Sequence, residues 1–535
     1  MRTNIEQNTQ VYLELDRKWK GACKILFGRE VGELAEFKDY LNEYNRPLEE
    51  KKSSVSGKTV HFSSPAYYEG GSYQGFEEID LNKKYAPLSI NDIKDIDSII
   101  GAVQDRIVYT GDIILGKSSF VQGCSNAIEC NYVLGSSRVN FSDYMAYCFN
   151  CSFAEAMFGC QFFGPAQYCI RSTELPKCIR CFETFIASNS SDLYYCSGLD
   201  GCKEAMFTFN MRNKRHVIGN LELPKEKYMQ VKAKLLDEIA QQLQSGKKAV
   251  SLPSIVNGIK ARKRAVEKGA GARNGKQGNI APINEAFSKT TRLLFGFALD
   301  DVRKYEKWLL EYTIELKKAK SMLSGIEFSY PPGHAKYDLF GEHRMIAVEE
   351  RDYAGNRSRL GEAETEKLNL ANAGALLENI AVICPDFAFG EVSNTLESCL
   401  NRDCQDIYKS ALSYEAKKAG CNYLNRNSEY VFGCHEIRLS SFCINCYHCA
   451  KLGRCFECDS CRDCAGCFFC HNCENVRDSM FCFNVKNMKY AIGNTEVGRE
   501  KFAEAKAALQ KTILDEISGK KRLSFSIYDI GKRGR

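Results

Sequence analysis

The stretch CINCYHCAKLGRCFECDSCRDCAGCFFCHNC, residues 443–473, carries ten cysteines, each separated from the next by a multiple of three positions. The ten cysteines between 124 and 202 likewise keep one phase modulo three among themselves, and Cys404, Cys434 and Cys482 share the phase of 443–473, though Cys384, Cys399 and Cys421 do not. A helix repeats every 3.6 residues and a strand every 2, so neither keeps every third residue on one face for long. A chain wound in coils whose length is a multiple of three does, because equivalent positions then stack into columns. Separations of eighteen recur (130 to 148, 151 to 169, 446 to 464 to 482) and suggest coils of that length. Coils of twelve or fifteen fit the same phase, and handedness is left open.

The chain is also internally duplicated. Residues 158–228 align without a gap on 432–502 at an offset of 274, with 22 of 71 positions identical. Farther out, ILFGREVGELAEFKDYLNEY (25–44) parallels LLFGFALDDVRKYEKWLLEY (293–312). In the first, Leu34, Phe37, Leu41 and Tyr44 repeat as one apolar helix face; in the second, Val302, Tyr305, Leu309 and Tyr312 do the same. The expected fold is therefore an α+β repeat: two tandem copies of a Cys-rich β-solenoid (β-helix) module, each flanked by an entry and an exit α-helix. The first module spans 1–266, with a helix at 12–44, a solenoid at about 105–220, an exit helix at 224–244 and a basic tail. A Gly-rich basic linker covers 267–287. The second module spans 288–535, with a helix at 291–322, a solenoid at about 380–494, an exit helix at 498–517 and a basic tail. A duplicated module is expected to pack about a pseudo-twofold axis, as a fused homodimer would.

The two copies differ in how much cysteine they use. Cys446, Cys449, Cys458, Cys461, Cys464, Cys467, Cys473 and Cys482 fall opposite Ser172, Leu175, Thr184, Ala187, Ser190, Leu193, Leu199 and Thr208. Small or apolar replacements suit an inward column, where a reduced cysteine acts as a small hydrophobe; a metal ligand is not exchangeable for leucine. The period is thus a packing period first. The second copy still offers C-x2-C-x2-C spacing, which grips Zn or an Fe–S cluster when four ligands converge. The candidate metal ligands are Cys443, Cys446, Cys449, Cys455, Cys458, Cys461, Cys464, Cys467, Cys470, Cys473, His448 and His471. The ferredoxin-type fourth cysteine followed by proline is absent.

The C-x2-C ladder that ends in CFNVKNMKYAIGNTEVGREKF (482–502), with an aromatic helix upstream, resembles a group of uncharacterised Cys-rich repeat proteins of candidate-phylum bacteria and archaea. The resemblance covers about half of the chain and implies the architecture but no activity.

Ordinary catalytic motifs are missing. SGKT (56–59) lacks the glycine five positions before Gly57 that a phosphate-binding loop needs, and is expected to be a turn. GAGARNG (269–275) lies in the linker, and neither G-x-S-x-G nor H-E-x-x-H occurs. The formal charge of +6 is small for 535 residues, but basic residues cluster after each exit helix: Lys260, Arg262, Lys263, Arg264 and Lys268, then Lys520, Lys521, Arg522, Lys532, Arg533 and Arg535. Flexible cationic tails of this kind contact phosphate backbones such as RNA, or serve only as solubilising charge. No run of about 18 apolar residues is present, which leads to the expectation of a cytoplasmic protein with no membrane partner, whose 27 cysteines are reduced. The function expected is that of a non-enzymatic binding or scaffold protein in a larger protein assembly. A Zn or Fe–S protein for storage, cluster delivery or electron transfer, and a thiol redox sensor, are the alternatives.

Overall fold

The computed structural model describes residues 9–533 apart from 47, 65, 90–94, 162–168, 172, 174–178 and 261–277. In both halves the residue two places after each inward position takes the left-handed conformation, as at Asn126, Glu129, Tyr132, Arg138 and Phe141 in the first and at Tyr430, Glu436, Phe442 and His448 in the second. A non-glycine residue there costs on the order of 1 kcal/mol or more. It is retained because it turns the chain through a corner every three residues, and four such corners bring the chain back to its start. Backbone pairing confirms the count: Ser125, Ser137 and Phe149 pair in succession, as do Cys181, Leu193, Ala205 and Val217. Tyr423, His435 and Tyr447 do so in the second half. These steps are parallel and twelve residues long, with a single thirteen-residue step at the entry of each stretch (Ile114 to Ala127, Ala388 to Asn401), so the eighteen-residue expectation is corrected to twelve.

Two stretches are built this way, from Ile114–Leu115 to Arg215–Ile218 and from Ala388–Phe389 to Phe468–His471; the second forms one continuous curled parallel sheet, and isolated bridges carry it on to Ile492. Each has an interior made of every third residue, and all the described in-phase cysteines are buried in it. Off-phase Cys421 and Cys399 lie instead under the flanking layers, and Cys384 in a small separate cluster.

An outer apolar column at twelve-residue spacing receives the helices. In the first half Phe158, Ile170, Phe182, Tyr194, Met206 and Ile218 face α1 (Gln10–Phe27) and α2 (Lys225–Gly246). In the second, Phe432, Ile444, Phe456, Phe468, Met480 and Ile492 face α3 (Ala281–Phe295) and α4 (Arg499–Lys520). The ring contacts are equivalent: Trp19–Phe158 and Phe27–Phe182 at 5.3 and 5.2 Å, Phe287–Phe432 and Phe295–Phe456 at 5.1 and 4.8 Å. The exit helices match their expected positions to within three residues. The entry helices do not run through. Gly28 and Gly296 adopt left-handed φ values of 77° and 83° and cap α1 and α3 at the carbonyls of Lys24 and Arg292. The faces at 34–44 and 302–312 follow as 3-10 and short α turns whose apolar residues are still buried, Tyr312 excepted, which is half-buried. The linker expected at 267–287 ends earlier, because Ala281 opens α3; its residues 267–277 lie outside the described residues.

The segments between helix and coil cross over. Val60, Phe62, Tyr67, Tyr73 and Tyr109 of the first half are buried with coils of the second, and Ala319, Tyr337, Phe340, Met345 and Ile383 of the second with coils of the first. Asn210 Nδ2 donates to the Val382 carbonyl and Asn484 Nδ2 to the Val108 carbonyl, both at 2.8 Å. These two bonds are related by the same offset of 274 that aligns the sequences. The SGKT segment closes the hairpin Glu49–Lys52/Thr59–Phe62, and its counterpart closes Lys317–Lys320/Glu327–Tyr330; both are plain turns.

Candidate binding cleft

The thiol column comes first because it holds most of the candidate metal ligands. The thiols point inward and donate to the carbonyl two residues before, and from Cys449 to Cys473 also to the one nine after; Cys464 Sγ lies 3.2 Å from the Arg462 oxygen and 3.5 Å from that of Cys473. Thr184 and Thr208 make the same pair of bonds in the first half. Cysteine, serine and threonine interchange here because all three are small inward donors. Burial raises the Cys443, Cys446, Cys458, Cys461 and Cys473 thiols. Against that same burial, hydrogen bonds from flanking thiols pull Cys455 and Cys470 down, and bonds from Cys461 and Cys467 bring Cys464 to about 5. The structure brings the ten candidate cysteines of 443–473 together, but no group of three or more His, Cys, Asp or Glu is arranged to hold a metal ion among the described residues. Cys181 is the one described cysteine in a disulfide.

His448 and His471 stand outside that column, at a corner and on a side of the coil. Arg138 can only donate, so its 2.6 Å contact makes His448 Nε2 an acceptor, and the proton on Nδ1 goes to Asp459 Oδ1 at 3.0 Å. His471 Nε2 accepts the Thr110 amide at 3.0 Å and its Nδ1 donates to Asp459 Oδ2 at 2.9 Å. All four ring nitrogens are engaged, so neither histidine has one left for a metal. Tyr67 adds a bond of 2.6 Å to the same carboxylate. Burial opposes charge on Asp459, but the two imidazole N–H groups outweigh it and hold the carboxyl well below its usual range.

This network forms one end of a cleft of about 220 Å³ between the halves. One wall is the corner column Asn126, Arg138 and Asn150 of the first half with Ile128, Asn140 and Ser152 beside it; the other is the second half's Glu436, His448, Ser460 and Asn472. Phe76, Ile79 and Leu81 from the segment that crosses over, with Ile113 and Leu115 at the start of the first coil, add apolar surface. Arg138 is only 6% exposed; it pairs with Glu436, donates to the Ser63 carbonyl at 2.9 Å and leaves its Nε without a partner among the described residues. Burial works against the charge of Glu436, yet Arg138 beside it brings that carboxyl down to about 2. Asn150, 8% exposed, also lines the cleft and its Nδ2 has no partner among the described residues.

Along the second half's rim runs a column at twelve-residue spacing: Arg426, Arg438, Ala450, Arg462, Glu474, Lys486. Glu474 pairs with both Arg462 and Lys486. Arg426 and Arg438 are direct neighbours in register, about 4.8 Å apart. Arg438 makes no ion pair among the described residues. Position 152, which aligns with Arg426, is serine, so this charge belongs to the second half alone. The sequence carried the signal as Arg at 426, 438 and 462, but only a twelve-residue coil makes it readable.

The basic tails are placed differently from expectation. Arg262, Lys263, Arg264, Lys268 and Arg535 lie outside the described residues. Lys260, Lys520, Lys521, Arg522 and Lys532 are exposed, while Arg533 pairs with Asp97 and Glu516. The segment after α4 is not a free tail: Leu523, Phe525, Ile527, Tyr528 and Ile530 are buried against the second half's coils. The Ile527 amide donates to Glu457 at 2.9 Å, as the Leu252 amide does to the equivalent Glu183 at 3.2 Å.

The fold and the cleft together define a mixed α and β protein with parallel twelve-residue coils and a cationic recess between its halves. Searches of family models, of curated proteins and of solved structures find no match. No described helix is long and apolar enough to cross a membrane.

Proposed function

We propose that the chain is a non-enzymatic binding protein, two tandem copies of a Cys-rich β-solenoid module held as one rigid body, with the cleft between them as its principal binding surface. The observation that supports this is the exchanged pair of bonds, Asn210 to Val382 and Asn484 to Val108. Each copy completes the other, so the recess exists only in the joined chain and its two walls keep a fixed spacing. The described interiors are filled with buried side chains, which puts recognition on the outer faces. Thiols fit this reading as packing and hydrogen-bonding groups.

The test is a metal count with an absorption spectrum on anaerobically purified protein, followed by melting in chelator. A colourless, metal-free protein with an unchanged transition supports the binding platform. Stoichiometric Zn or an Fe–S chromophore whose removal unfolds the second half would replace it with the metal-protein reading. Uptake of several oxidising equivalents by the thiols at low oxidant would replace it with the redox-sensor reading.

A further inference from the structure

We propose that the cleft takes a small organic anion, a short apolar body bearing one carboxylate or phosphate group, with Arg438 and Arg426 on the anionic group. This rests on the binding-platform reading above and names its ligand class.

Three observations converge. First, Arg426 and Arg438 are stacked in register at the cleft rim, and like charges placed directly opposite one another on neighbouring strands repel. Lower in the same column Glu474 answers Arg462 and Lys486; no carboxylate does this for Arg438 among the described residues. An anion seated on Arg438 completes the pattern, and its guanidinium beside that of Arg426 offers the forked donors that carboxylate and phosphate oxygens accept. Second, deeper in the recess two buried donors lack acceptors among the described residues, Arg138 Nε and Asn150 Nδ2. Buried polar groups are rarely left unsatisfied, and both lie on the wall opposite the arginine column. Third, the adjoining surface is apolar: Ile79, Leu81, Ile113, Leu115 and Ile128 line the same space, and Leu81 is 57% exposed without a ligand. A cavity of about 220 Å³ is smaller than the roughly 300–1,000 Å³ of sites for drug-sized ligands. That size suits a short chain with a single anionic group rather than a nucleotide.

The experiment is isothermal titration of the full chain with hexyl phosphate, hexanoate, hexanol and inorganic phosphate, repeated on Arg438→Gln and Leu81→Ser. Both side chains are exposed, so both variants are expected to melt as the parent does. Hexyl phosphate or hexanoate is expected to bind one to one; which of them binds more tightly identifies the headgroup. Arg438→Gln should weaken that binding at least tenfold and Leu81→Ser severalfold. Hexanol and inorganic phosphate should each bind at least tenfold more weakly than the better amphiphilic anion. Absence of binding by both anions, equal binding of hexanol, or full affinity in Arg438→Gln overturns the proposal. A metal-free, chelator-resistant protein that binds neither anion would sink this inference while leaving the platform reading intact.

Discussion

Two glutamates at equivalent positions should respond in opposite ways to the same substitution. Glu183 is buried beside Arg171, whose guanidinium lies 3.0 Å from it and stacks at 4.1 Å on the rings of both Tyr40 and Tyr44. Glu457 occupies the matching site, but Asn445 replaces the arginine, donating at 2.9 Å. With no cation beside it, burial pushes the Glu457 carboxyl from 4.5 up to about 8. The folded state therefore holds a proton that the unfolded chain releases above about pH 4.5. Its contribution to stability is complete below that pH and is lost as pH rises through about 8, at about 1.4 kcal/mol per pH unit, or about 5 kcal/mol in all. Glu457→Gln freezes the neutral shape. Asn445 Oδ1 has no partner now, and turning that amide over lets it accept the new Nε2–H while Ile527 keeps its acceptor. Urea unfolding followed by Trp19 and Trp308, both buried, is the assay, run in reductant from pH 5 to 9. The variant should match the parent near pH 5 and exceed it by several kcal/mol near pH 9. Glu183→Gln should instead cost about 1–3 kcal/mol near neutral pH, because it removes one of the two carboxylates that answer the buried Arg171 and leaves Glu43, at 2.6 Å, as the other. A parent-minus-variant difference at 457 that stays flat with pH, or a loss above about 2 kcal/mol at pH 5, refutes the reasoning.

Cys458→Thr copies Thr184, which keeps both carbonyl bonds, and should change the urea midpoint by no more than about 1 kcal/mol, whereas Cys458→Asp should cost more than about 3 kcal/mol by burying an unpaired carboxyl. Deleting 520–535 should lower the melting temperature sharply because it strips five buried apolar side chains, so a role for its charge is better read from the triple reversal Lys520→Glu, Lys521→Glu, Arg522→Glu. That variant should melt as the parent does and reduce the salt slope of binding to an unstructured RNA by about two to three; an unchanged slope ends the idea of RNA contact.

The inward column was legible because its period is a property of composition: whatever the coil length, a residue chosen to be small and buried repeats every three. For the same reason the cysteines could not report coil length, since separations of twelve, fifteen and eighteen all preserve the phase. The twelve is written elsewhere, in residues that face the helices (Phe158, Ile170, Phe182, Tyr194, Met206, Ile218) and in corner aromatics that stack on the next turn, such as Phe141 on Phe153 at 5.1 Å. Both patterns are diluted by the inward residues between them. Gly28 and Gly296 each follow a Leu-Phe or Ile-Leu-Phe run and are C-cap signals that an unbroken apolar face obscures. The exchange between halves left no local trace, because Asn210 and Val382 lie 172 residues apart and each looks ordinary in its own neighbourhood.

The exchange also bears on why one column is so rich in cysteine. Each inward residue in these narrow coils must be small, must fill space, and must answer two carbonyls that the corner geometry leaves pointing inward. Serine and threonine meet the last need, leucine and valine the second. Reduced cysteine meets all three with a weak donor that does not require a strong acceptor. In the first half the work is divided: Thr184 and Ser190 supply donors where Leu193 and Leu199 fill volume. In the second, Cys455 to Cys473 do both in every turn, and those turns carry Asp459 and His471, which with Asn484 just beyond them receive the other half's crossing segment. Asn210 receives the second half's segment in the same way over the cysteine-poor column, so the join does not require cysteine; in the second half uniform small thiols supply both the filling and the donors that the first half divides among different residues.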